Sequence, residues 1–131
     1  MRINLLVLIF ATVVVASCKK HVTEDDHHIP VATIEIISPA AGANYHRGDN
    51  VMIQARAVST EQLHGYDIFI SKANDTTTYF FEHIHDHNDT VMINAVWLAS
   101  ITAPADLEAN ITIYLDHELH TAKKKVAFKV E

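Results

Sequence analysis

An all-β, antiparallel sandwich of seven short strands is the fold class this sequence predicts, and three observations lead there. Beyond residue 30, apolar residues recur with a period of two, the spacing of strands half buried against a core. Clusters of Gly, Pro, Asn and Asp interrupt the alternation at short intervals. No stretch carries the 3.6-residue period of a long amphipathic helix.

The first strand follows Val31, with Ile34 and Ile36 alternating against Thr33 and Glu35, and Ser38 to Gly42 breaks it. After Gly48, Asp49 and Asn50 the second strand sets Val51, Ile53, Ala55 and Ala57 on one face and Met52, Gln54 and Arg56 on the other. The third points Tyr66, Ile68 and Ile70 inward, and Asn74 with Asp75 supplies a turn. A fourth is expected from near Thr76 through Tyr79, Phe80 and Phe81, all good strand formers. Val91, Ile93, Ala95 and Trp97 build the fifth, and its tryptophan and the preceding aromatics are assigned to packing rather than to a ligand platform. Leu98 to Ala109 contains Pro104 and no clear alternation, so it is expected to be a crossover with one helical turn. Ile111, Ile113 and Leu115 mark the sixth strand, and Val126, Phe128 and Val130 the seventh.

The N-terminal fifth is different in kind. Arg2 precedes an apolar run from Leu5 to Val15, which ends in Ala16, Ser17 and Cys18. A basic start, an apolar middle and small residues before a cut site make residues 1–17 an expected signal peptide. The run is shorter than the roughly 20 apolar residues that a transmembrane helix needs. Residues 18–30, with Lys19, Lys20, Glu24, Asp25 and Asp26, read as a flexible linker, and residues 31–131 as the folded domain. Cys18 is the only cysteine, so the domain is expected to rely on its core rather than on a disulfide.

The segment Val15 to Cys18 resembles the lipobox of bacterial lipoproteins. That resemblance implies diacylation of the Cys18 thiol, cleavage before it, and a third chain on the new amine, enough lipid for stable anchoring. It implies a lipid-anchored protein of the cell envelope, at the outer membrane on its periplasmic or surface face, with the membrane as a partner. The acidic trio after the lysines is similar to a surface-export signal of some outer-membrane lipoproteins.

Seven strands in about 100 residues point to the immunoglobulin-like sandwich. The residues Ile36 to Pro39 with Gly42, and Gly48 to Val51, are similar to bacterial Ig-like domains of short surface lipoproteins. The antibody-type cysteine pair is absent and Trp97 falls on the fifth strand, so the likeness concerns architecture alone.

Charge excludes one class of partner. Ten Lys and Arg against 16 Asp and Glu give a formal net charge of −6, and Lys123 to Lys125 is too short a basic run to offer nucleic acid a cationic face.

Ten histidines are the chemical peculiarity of the chain. His83, His85 and His87 alternate, so on a strand they project from one side. Neighbours two apart lie roughly 6.6 Å from each other, close enough to share one ion, but the outer pair lies about 13 Å apart. A straight strand therefore offers one metal only two of the three, with the remaining ligands from elsewhere; the alternative is a bend after His85, where a turn is coming. If hairpins alternate in direction, His64, then His83, His85 and His87, then His117 and His120 occupy loops at one pole, where the linker histidines His27 and His28 also enter. His46 falls at the other pole.

Those six residues are the candidate metal ligands, with Asp86, Asp89, Asp116 and Glu118 as carboxylates behind them. Imidazole and carboxylate suit Zn²⁺, Cu²⁺ or Ni²⁺, and the missing thiolates argue against Cu⁺. The alternative for the triplet is a solvated histidine-rich turn, for His64 an ordinary loop histidine, and for His117 and His120 a solvated hairpin. Three functions follow. One is metal binding. The next is recognition of a protein or glycan, with histidines tuning affinity through protonation. Last comes a metallohydrolase, which lacks support because the sequence contains no serine elbow, phosphate loop or zinc-helix motif; the expectation is a protein that is not an enzyme.

Overall fold

The computed structural model describes residues 28–131. The signal segment, Cys18 and the linker as far as His27 lie outside the described residues. Eight strands follow one another: β1 (Ala32–Ser38), β2 (Asn44–Tyr45), β3 (Asn50–Ser59), β4 (Gly65–Lys72), β5 (Thr78–Ile84), β6 (Thr90–Leu98), β7 (Ala105–Tyr114) and β8 (Thr121–Val130). They form two sheets, one of order β1-β3-β6 and the other β2-β8-β7-β4-β5. The all-β sandwich expected from the alternation is thus present, with no helix among the described residues.

Alternation explains the core directly. Val51, Ile53, Ala55 and Ala57 from β3 and Val91, Ile93, Ala95 and Trp97 from β6 are buried, and they face Tyr66, Ile68 and Ile70 of β4 and Ile111 and Ile113 of β7. Phe128 and Val130 close the core from β8. Trp97 is buried, with Tyr79 6.3 Å away between ring centroids.

Two expectations are corrected and a third is refined. The strand count is eight rather than seven, because the chain leaves the first sheet after β1 and β2 adds two residues to the second, parallel to β8. Hydrogen bonds from Gly42 N–H to the Ala127 carbonyl and from Lys129 N–H to the Ala43 carbonyl, each 2.8 Å, hold that crossing. The stretch Leu98 to Ala109 has no helical turn: β7 starts at Ala105, with Leu107 and Ala109 buried. Pro104 stands just before that strand, where its missing N–H removes no ladder bond. Finally, of the aromatics assigned to sheet packing, Phe81 is 62% exposed on the outer face, whereas Phe80 is partly buried against the core.

Candidate metal centre

Chain direction collects the histidine-bearing loops at one pole, and backbone hydrogen bonds fasten them. Leu63 N–H donates to the Asn88 carbonyl at 3.1 Å, which ties the β3–β4 loop to the β5–β6 loop. His64 N–H donates to the Tyr114 carbonyl at 2.9 Å and joins it to β7. The N-terminal arm arrives at this same pole, where Val31 N–H donates to Thr60 Oγ1 at 3.1 Å. His28 and Pro30 line a groove there with Asp116, His117 and His120.

Three imidazoles from three loops meet at this pole. The His64 ring lies 4.0 Å from His117 and 5.5 Å from His87, centroid to centroid. His87 Nδ1 bonds the Leu63 carbonyl at 3.2 Å, so that nitrogen carries the proton and Nε2 keeps its lone pair. His64 Nδ1 is buried and has no hydrogen-bond partner among the described residues. An orphaned buried polar atom is costly, and here it belongs to the ring that the other two imidazoles approach.

The other candidates part from this trio. The triplet His83, His85 and His87 does not act as one unit, because β5 ends at Ile84 and the chain then turns. Asp86 makes that turn: its Oδ1 accepts from Asn88 N–H at 2.9 Å and from Asn88 Nδ2 at 2.6 Å, which occupies it locally. His83 and His85 stay together, with perpendicular rings 4.7 Å apart. His120 pairs with Asp116 instead, Nδ1 to Oδ2 at 2.5 Å. Glu118 and Asp89 are exposed.

Sequence reasoning missed Asp67 and Tyr114. Asp67 Oδ1 takes His83 Nδ1 at 2.6 Å, and its other oxygen accepts from the Tyr114 hydroxyl at 2.6 Å. Equal steps back and forward from the Asn74, Asp75 turn place Asp67 opposite Glu82; the register shift between Ile70 and Ser71 moves its partner one residue on, to His83, so sequence spacing alone gave no signal for the pair. Tyr114 needed the β4–β7 pairing, which crosses more than 40 residues of chain.

The electrostatics follow from burial and contact. Burial pushes the His64 pKa below its ordinary 6.5; His117 and His87 push the same way, and Asp116 opposes them. Burial raises Asp116, but the His120 ring outweighs it together with the backbone N–H groups of His120 and Glu118, so its carboxyl ends below 3.8. The accepting Asp67 raises the Tyr114 hydroxyl. Because the unfolded chain protonates His64 near 6.5 and the folded one only at lower pH, His64 favours the fold fully above that value and progressively less as pH falls below it. The Asp116 contribution is lost separately, only as pH falls below 3.8. We expect a lower urea midpoint at about pH 5.5 than at about pH 7.5, and equal midpoints would contradict this assignment.

A single ion would suit part of this geometry. Two imidazoles on one tetrahedral ion have centroids roughly 5 Å apart, given metal–nitrogen bonds of about 2.0–2.1 Å. The His64–His87 spacing matches, whereas His117 is closer and must swing outward, which its exposed position on the β7–β8 loop permits. Among the described residues, no three donors are already disposed around one ion position.

Fold and pole together define a small two-sheet β-sandwich module with a histidine-rich end. No protein-family model matches the chain, and no curated protein matches it. Among solved structures it is similar to the fibronectin(III)-like modules of Clostridium thermocellum CbhA, at 15% sequence identity and a TM-score of 0.49, over 75% of this chain and 94% of that one.

Proposed function

We propose that this chain is a lipid-anchored, non-enzymatic module of the cell envelope that binds a divalent transition metal, Zn²⁺ or Cu²⁺, through His64, His87 and His117. The lipid on Cys18 belongs to this proposal and rests on the lipobox residues. One observation carries the metal reading: His87 and His117, from two other loops, each pack against the His64 ring, whose buried Nδ1 has no hydrogen-bond partner among the described residues. A bound cation would give that nitrogen its missing contact. Asp116 is the nearby carboxylate, and its charge favours a cation at His64. Imidazole donors without thiolates suit Zn²⁺ or Cu²⁺.

The test is metal binding by protein purified without a histidine tag. ZnCl₂ in hundredfold excess over its dissociation constant is expected to add about 2.7 kcal/mol to unfolding stability. Affinity is expected to fall with pH, because protons compete for the ring nitrogens. No melting shift with Zn²⁺, Cu²⁺ or Ni²⁺ would overturn the proposal. Phe81, exposed and directly opposite Phe69 on the outer face of β4 and β5, favours a second reading, recognition of a protein or glycan. That reading gains ground if no metal binds.

A further inference from the structure

We propose that His83 and His85 form a second metal position, separate from the pole, on the outer face of the β4–β5 hairpin. No ring contact joins this pair to His64, His87 or His117 among the described residues. It therefore stands or falls independently of the pole.

The first support is spacing. His85 stands one residue past the end of β5, and its ring lies 4.7 Å from that of His83, close to the roughly 5 Å of imidazoles sharing one ion. The second is orientation. Asp67 accepts from His83 Nδ1 at 2.6 Å, which fixes that nitrogen as the protonated one and leaves Nε2 with its lone pair for a metal. Metal-binding histidines are commonly oriented in this way by a carboxylate on the far nitrogen.

The carboxylate is itself fixed. Its side chain is only 14% exposed, and the Tyr114 hydroxyl holds the second oxygen at 2.6 Å, while the His83 side chain is 39% exposed. A rigid, shielded orienting group behind an accessible ring differs from a pair of freely solvated histidines. With two protein nitrogens, solvent has to complete the coordination, and the order of divalent affinities then favours Cu²⁺ over Zn²⁺. Fewer protein ligands make this the weaker position of the two.

CuCl₂ titrated into the full domain, followed by calorimetry and electron paramagnetic resonance, tests the assignment. The His64→Leu variant is expected to keep one bound Cu²⁺ with nitrogen couplings, which reports the hairpin position alone. In that background His85→Ala, which loses no side-chain hydrogen bond among the described residues, is expected to weaken Cu²⁺ at least tenfold. Asp67→Asn keeps both ligands and is expected to weaken Cu²⁺ by about 10-fold to 100-fold, the usual cost of losing an orienting carboxylate. Unchanged Cu²⁺ affinity in His85→Ala would overturn the hairpin position. Failure of the pole reading alone would show differently, as loss of the tight class in wild-type protein with the His85-dependent ion retained.

Discussion

Gly65→Ala is expected to destabilise the domain by about 2–4 kcal/mol, the range of a strained backbone that nothing nearby can relieve. Gly65 opens β4 with φ at +127°, a region that residues with a Cβ rarely adopt. A Cβ built there lies 2.5 Å from the Ile84 carbonyl oxygen and 3.4 Å from the His85 Cα. Both neighbours are backbone, so no side-chain rotation makes room. The end of β5 would have to move away from β4, and β5 ends where His85 and His87 depart in different directions. In a domain of this size each kcal/mol moves the melting midpoint by about 4–8 °C. Urea unfolding of Gly65→Ala measures the loss directly, and a change below about 0.5 kcal/mol would mean that the hairpin end relaxes.

His64→Leu is expected to do two opposite things. Leucine removes a buried polar atom that has no partner among the described residues, whose cost in folded proteins is about 1–3 kcal/mol, so metal-free protein is expected to become more stable. Most of that gain is expected on the acid side, because the variant no longer resists a proton that the unfolded chain accepts readily. Zn²⁺ affinity at the pole is expected to fall at least tenfold. A residue that costs stability and supports binding is the pattern of a functional position. Destabilisation of the metal-free variant at about pH 5.5 would contradict the account of His64 as an unsatisfied neutral ring.

Much of the fold was legible because period two leaves little freedom. Val51, Ile53, Ala55 and Ala57, or Val91, Ile93, Ala95 and Trp97, name their inward face without help from the rest of the chain. β2 was not legible, since two residues held by backbone bonds to β8 leave no side-chain pattern. The start of β7 was hidden for another reason: Ala105 and Ala109 occupy inward positions with side chains too small to register as an apolar stripe. The gathering of His64, His87 and His117 follows from alternating strand direction and so could be anticipated. That a straight strand divides the histidine triplet was legible too, but the place of the break was not, because it depends on β5 stopping at Ile84 and on Asp86 holding Asn88.

The arm that carries His28 and Pro30 onto the histidine pole has a consequence for orientation. Any tether joined to it leaves from beside the imidazoles, whereas His46 and Arg47 cap the far end. With a lipid on Cys18, ten residues before His28, the span is at most about 36 Å of fully extended chain. On the proposed anchoring, the histidine pole would be the end from which the tether departs, nearer the bilayer than the tip that His46 and Arg47 cap.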